Sequence, residues 1–361
     1  GTFGRGFYVL DDYSPLRMVN EAVLTGGPVL FGVKDAPLYI ERSRLGHTNG
    51  RGYQGASFYA APNPPFGAVV TYHLPETIQT LKETRHEAEK EDDWAYPDID
   101  ALRAEDREID PQVILTIRDA EQNVVRRVNG PRTKGFHRVA WDLRYPSEQA
   151  VNLSQGERPD WALPPAGPLV APGGFTVTLD LHHEGQVERL AGPEFFDVYP
   201  LDLSTLRSDN AEGDLAFAQQ ASELRREVIG AIRASEEAEN RINHLRKAIL
   251  DTPAAGPLHV QPLEAIRTDL AGILVDLRGD QTLSRRSRAQ APSISSRISA
   301  VVSGRLRVTS PPTGTHKDQL GFASESFARV RSELRDVLNR LGELEVELNG
   351  LGAPWTPGRT P

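Results

Sequence analysis

Two long apolar seams constrain this chain more than any other feature. Ala221, Leu224, Val228, Ala231, Ser235, Ala238, Ile242, Leu245 and Ile249 recur at alternating steps of three and four. Leu320, Ala323, Phe327, Val330, Leu334, Val337, Leu341, Leu344 and Leu348 do the same. A helix turns once per 3.6 residues, so this spacing draws one stripe along one side. Each seam runs for about 42 Å at 1.5 Å per residue. Two shorter helix candidates lie between them. One runs through Leu263, Ile266, Leu270, Ile273 and Leu277; the other follows Pro292 through Ile294, Ile298 and Val301. Stripes of equal length can cover each other. The pattern therefore predicts an antiparallel helical bundle over residues 201–350, in up-down four-helix order with the two long helices antiparallel. Residues 351–361, rich in Pro and Gly, are expected to be a flexible tail, with Trp355 able to dock back.

Upstream the hydrophobic period changes to two. Ala68 to Leu74, Val113 to Arg118, Val124 to Val128, Phe136 to Tyr145, the run through Phe175, Val177 and Leu179, and Glu194 to Tyr199 all read as short strands separated by turn residues. In one of them Val139, Trp141, Leu143 and Tyr145 share a face, as in a half-buried antiparallel strand. Six or more such strands predict a β-sandwich of immunoglobulin or fibronectin type over residues 67–200. Residues 76–110 break the pattern. They carry Lys82, Glu83, Arg85, Glu87, Glu89, Lys90, Glu91, Asp92 and Asp93, and are expected to be an inserted helical excursion. Residues 41–66 are Gly-, Asn- and Pro-rich and read as a linker or long loop. Before them, Phe7 to Leu10 reads as a buried strand closing at Asp11-Asp12. Ser14-Pro15 then starts a short helix through Val19 and Val23. Val29 to Val33 and Leu38 to Ile40 read as two more strands. The opening Gly1-Thr2-Phe3-Gly4-Arg5-Gly6 runs straight into strand-like sequence, as in a chain that begins mid-protein with any targeting signal upstream.

Composition narrows the chemistry. A net charge of -9 argues against a nucleic-acid partner, which requires a basic face. With no cysteine there is no disulfide, no thiolate metal site and no Cys nucleophile. No apolar run is long enough to span a bilayer. The nine histidines are scattered. His182 and His183 are adjacent on a strand and point to opposite faces, while His244 and His316 lack an acidic partner at ligand spacing. No metal site, cofactor or catalytic residue is assigned. There is no Gly-x-Ser-x-Gly elbow and no His-Glu-x-x-His helix. Asp11-Asp12 is the carboxylate pair best placed for a site, with local turn bonding as its ordinary use. Arg285-Arg286-Ser287-Arg288 reads as a solvated basic loop. Trp94 and Tyr96, in the charged insertion, and Trp161, in a Pro-rich loop, are the candidate sugar-stacking aromatics, with docking on their own domain as the alternative.

Several of these segments together carry a resemblance. Gly4-Arg5-Gly6-Phe7-Tyr8-Val9-Leu10-Asp11-Asp12 with Ser14-Pro15-Leu16, the Asn63 to Ala68 segment, Trp141-Asp142-Leu143-Arg144-Tyr145-Pro146, and Leu169 to Gly173 before Phe175 resemble the C-terminal part of bacterial BNR-repeat, sortilin-like β-propeller "glycosyl hydrolase" proteins. The resemblance implies that residues 1–40 are the end of a propeller and its exit. It implies a secreted or periplasmic parent whose propeller lies upstream. The Asp-box pattern of the repeats does not occur in this chain, so no catalytic residue is carried over.

Three functional readings follow. The first is a non-catalytic accessory region that braces the propeller, with Asp11 and Asp12 at its edge, and that contacts another protein or a second copy through the bundle. The second is a part of a glycoside hydrolase whose catalytic groups lie upstream. The third is a carbohydrate-binding sandwich acting through Trp94, Tyr96 and Trp161.

Overall fold

The computed structural model describes residues 9–41, 63–90, 97–153 and 164–360. They divide into two compact units. One holds residues 9–146 and 169–205 and is built on sheets; the other holds 147–153, 164–168 and 206–360 and is built on helices. None of the described helices is long and apolar enough to cross a membrane.

The sheet unit begins with two short helices, α1 (Ser14–Arg17) and α2 (Glu21–Thr25), where one was expected. Asn20 separates them, its side chain accepting from Val23 N at 3.0 Å and starting α2 afresh. Val9 and Leu10, expected in a buried strand, lie outside any strand and are 82% and 52% exposed; no described strand pairs with them. Eight strands follow among the described residues. β1 (Val29–Leu30), β3 (Ala68–Leu74) and β6 (Gly135–Trp141) form a three-stranded sheet in the order β1-β3-β6. β2 (Ala36–Leu38), β4 (Gln112–Arg118), β5 (Val124–Gly130), β7 (Gly173–His183) and β8 (Gln186–Pro200) form a five-stranded sheet in the order β2-β8-β7-β4-β5. Among the described residues only the β2–β8 pairing is parallel.

The two sheets share one apolar core. Tyr72, Leu74 and Trp141 from the first meet Leu115, Ile117, Phe175, Val177 and Leu179 from the second. Each buried aliphatic of this size removes enough apolar surface from water to contribute about 2 kcal/mol. Tyr72 keeps its hydroxyl satisfied by donating to Pro131 O at 2.6 Å. The Trp141-to-Tyr145 segment has a structural use. Strand β6 stops at Trp141, whose Nε1–H donates to Arg144 O at 3.0 Å, and Leu143 turns into the left-handed region at φ 55° while staying fully buried. At this same end of the β3–β6 pair, Gly67 sits at φ +105° with the position of an added Cβ only 1.8 Å from Trp141 O. A side chain does not fit there.

The insertion between β3 and β4 folds as α3 (Leu81–Ala88) and α4 (Ile99–Arg107), neither of which buries a residue. Both lie within residues 76–110, where a helical excursion was expected.

In the helical unit α5 (Ala211–Asp251) and α9 (Gly314–Gly350) carry the two seams. Between them lie α6 (Pro257–Arg278), the single turn α7 (Gln281–Ser284) and α8 (Ile294–Arg305). Every seam position is buried except the half-buried Leu224. The direction of the long helices differs from expectation. Glu227 pairs with Arg331 at 3.5 Å and Arg241 with Glu345 at 2.5 Å, so both helices advance together and run parallel. Helix α6 runs against both, with Glu236 to Arg278 at 3.3 Å on α5 and with Asp276 to Arg329 and Asp269 to Arg340 at 2.9 and 2.6 Å on α9. Helix α8 runs back along α9, where Arg297 reaches Gln319 at 2.7 Å. The reason is length. α6 with 22 residues and α8 with 12 measure about 33 and 18 Å, and neither matches α5, whose 41 residues span about 61 Å. Placed in succession they make one return pass, so α9 sets out in the same direction as α5. The arrangement is three helices across, with its middle member interrupted at 279–293.

Residues 351–360, expected to be a flexible tail, fold back on the end of α9. Arg359 is buried and donates to Asn349 Oδ1, to Pro354 O at 2.6 Å and to Ala353 O at 3.2 Å, which ties the tail to itself and to the last turn of α9; Ala353 N donates to Leu348 O at 3.0 Å and satisfies a carbonyl left open at the helix end. Trp355 Nε1 donates to Arg359 O at 2.8 Å while its ring stays 62% exposed.

Candidate functional site

The segment from Val9 to Leu24 leaves six large apolar side chains in water: Val9, Leu10, Tyr13, Leu16, Met18 and Leu24. Its anchor is the buried Pro15. Asp12 spends its carboxylate locally, with Oδ1 accepting from Ser14 N at 2.9 Å. The Ser14 hydrogen bonds, helped by Lys34 and Arg138, hold the Asp12 carboxyl below the usual carboxylate range. Asp11 beside it is exposed. The two do not form an acid–base pair with any group described around them.

Trp94, Tyr96 and Trp161 lie outside the described residues. Trp141 is in the core, edge-on to Phe175 at 5.3 Å between ring centroids. What the insertion does present is charge. Arg132 grips Glu83 with two hydrogen bonds of 2.7 and 2.8 Å, and Glu83 Oε2 also accepts from Thr80 N at 2.9 Å. These bonds hold the Glu83 carboxyl down to about 2. Arg85 grips Glu105 in the same bidentate way, tying α3 to α4 and lowering Glu105. His183 Nε2 lies 3.1 Å from Glu108 Oε1, and Glu108 Oε2 accepts from Leu81 N at 2.8 Å. Both oxygens of that buried carboxylate are thus engaged in holding the insertion to the β7 end. Among the described residues this is attachment chemistry.

The remaining motifs stay apart. His244 Nδ1 bonds Asn240 O at 2.8 Å on its own helix, and His316 packs over Gly304. Burial, and then the neighbouring Arg305, push the His316 imidazole below its ordinary value. Arg285, Arg286 and Arg288 are exposed in the interruption between α7 and α8. Among the described residues no group of three or more His, Asp or Glu is placed to hold a metal ion.

One cavity of about 370 Å³ opens at an end of the five-stranded sheet. Asp35 before β2, the β4–β5 turn from Asp119 to Gln122, the start of β7 and the stretch Phe195 to Asp197 of β8 line it. Sequence reasoning missed this place because its walls come from four separated segments with no local motif. The only sequence signals were the turn residues Asp119 and Asn123 and the run Glu194-Phe195-Phe196-Asp197. The turn is held by Asp119, which accepts from Asn123 N at 2.8 Å and from its Nδ2 at 3.2 Å. Asp35 Oδ1 accepts from Asp197 N at 2.9 Å, joining two walls.

Comparison of the chain with protein-family models, with curated proteins and with solved structures returns no match.

Proposed function

We propose that this chain is a non-catalytic accessory region that braces a β-propeller preceding it in a larger secreted or periplasmic protein. In this reading the sheet unit is a fibronectin-like sandwich and the segment before β1 is the propeller exit. The observation that carries it is the run of exposed apolar side chains between Val9 and Leu24. Scattered exposed hydrophobics are ordinary, but six within one short segment make a surface that a partner domain would cover. The resemblance of the Gly4-to-Leu16 stretch to a propeller exit names that partner. The bundle's helices fill their own seams, so its part in the reading is structural.

The test has two arms. In this chain alone, replacing Tyr13, Leu16 and Met18 together by Ser should shift stability by no more than about 0.5 kcal/mol, because side chains already in water lose nothing. A loss above about 2 kcal/mol would mean they are covered within the chain, and the reading falls. The protein isolated from its source should also be much larger than 361 residues and carry Asp-box repeats upstream. A source protein of this length with no propeller sinks the proposal directly.

A further inference from the structure

We propose that the end of the helical unit where α5 starts, α8 stops and α9 starts is an acid-sensitive corner, closed while the His316 imidazole is neutral and opened when that ring gains its second proton. The cap of α9 requires the neutral ring. His316 N donates to Thr313 Oγ1 at 3.2 Å, and Thr313 N donates to His316 Nδ1 at 3.4 Å. Glutamate or glutamine ordinarily holds this third position, and either keeps an acceptor oxygen in neutral and mildly acid solution. Imidazole accepts only through an unprotonated nitrogen, and imidazolium has two donors and no acceptor. Protonation therefore turns the Thr313 contact from a hydrogen bond into two facing N–H groups. It also adds a positive charge at the positive end of a 37-residue helix.

The groups around the ring add to the cost. Gly304 of α8 lies close against it, and an added Cβ there would stand 2.8 Å from Nε2. The next residue, Arg305, brings a guanidinium to the same place. Burial first, and then this guanidinium, hold the imidazole below its ordinary value. From α5 comes the carboxylate of Asp214, whose charge acts on Arg305. Arg305 Nε and Asp214 Oδ2 are both buried without a hydrogen-bond partner among the described residues, so this end is already short of polar contacts. Lys317 and Asp318, beside His316 on α9, are exposed. Arg305 Nη1 donates to Ser310 O, which ties the α8–α9 connection to the end of α8, and Leu306 packs against the core where that connection begins. Loss of the α9 cap loosens the connection and admits water to Leu306. The opposite end of the unit carries the contrasting case. His259 stands at the same position of α6, and its Nδ1 accepts from Gly256 N at 3.1 Å, but its Nε2 lies 3.3 Å from Glu347 of α9. A proton gained there meets a carboxylate, whereas one gained at His316 meets Arg305.

A histidine held below its ordinary value binds its proton more readily in the open state. Closure is therefore complete above about 6.5 and is lost progressively as pH falls below it. Amide hydrogen exchange of the full chain between about pH 7.5 and 5 reads the corner while carboxylates stay ionised. Protection of Thr313, His316 and Lys317 should fall about fivefold on acidification, the usual worth of an N-cap bond. Its midpoint should match the ring titration of His316 and lie below 6.5. The amides of His259 and Val260 should keep their protection. His316→Gln supplies an acceptor oxygen throughout the range, so its α9 amides should hold. If that variant does not fold, the wild-type comparison of the two helix starts decides alone. Constant protection of Thr313 and His316 while the ring titrates would overturn the proposal. So would equal acid loss at the start of α6, an undiminished acid loss in folded His316→Gln, or a His316 midpoint at or above 6.5.

Discussion

Helices α5 and α9 turn long seams into a shared core, and most ion pairs around them are half in water, such as Arg329–Asp276 at 57% and 41% side-chain exposure. The α3–α4 insertion of the sheet unit does the reverse. Neither of its helices buries a residue; Arg85–Glu105 ties them to each other, and Arg132–Glu83 and His183–Glu108 attach them to the sheets. The first region is held by apolar area, which is non-directional and tolerant of small shifts. The second depends on a few directional bonds between residues far apart in sequence. Each region should therefore fail in its own way.

The largest effect is expected in the helical unit. Leu245 is fully buried in the α5 seam. Leu245→Asp places a carboxylate among the apolar side chains of the helical core, at a cost of more than about 4 kcal/mol including the lost packing. The cooperative loss of helical circular dichroism should vanish or drop steeply in midpoint. Wild-type melting of this variant would mean that the seam does not carry the unit.

A smaller but sharp effect is expected in the sheet core. At Gly67 the backbone is left-handed and the Trp141 carbonyl occupies the space of a Cβ. Gly67→Ala combines backbone strain with a clash at the Ala68–Trp141 register, and should cost about 2–4 kcal/mol. Urea unfolding followed through the amides of β3 and β6 measures it. An unchanged midpoint would show that the turn into β3 has a freedom this geometry denies.

These two sites also mark what was legible beforehand. Burial of the seam residues followed from spacing alone, because a repeat of 3.5 puts them on one face whatever the partner is. Strand β3 likewise follows from the run Ala68 to Leu74. The direction of α9 did not follow. A heptad stripe has no arrow, and the outcome depended on whether α6 and α8 make one return pass or two. The Glu108–His183 pair and the cavity were illegible for a related reason. Their parts are brought together by sheet order, and a β8-β7-β4 arrangement cannot be read from the residues at 35, 119, 174 and 197. Asp12 was legible because its bond reaches only to Ser14, two residues away.

The insertion offers the smallest effect and the most direct test of an ionic attachment. Glu83 is 46% exposed, so solvent screens its pairing with Arg132 and only a small part of the unit's stability rests on it. The carboxyl itself should still report the contact. Its folded value is held near 2 against an ordinary 4.5, chiefly by the Arg132 hydrogen bonds and then by the Thr80 amide. A depressed carboxylate stabilises the fold fully above the ordinary value, and that contribution is lost as pH falls through the folded one. The window is therefore between about 4.5 and 2, and neutral solution lies on its stable side. Carbon-detected titration of the Glu83 side chain should give a midpoint near 2. Arg132→Gln should raise it most of the way back, with the Thr80 amide accounting for what remains. Over the same pH range the amides of α3 should lose protection while those of α5 keep theirs. Glu83 titrating at its ordinary value would mean that Arg132 does not hold the insertion. The weight would then fall on Glu108, whose two oxygens bridge Leu81 and His183 and whose side chain is almost wholly buried. In that case the contrast with the helical unit would narrow, because burial as well as direction would be fixing the insertion in place.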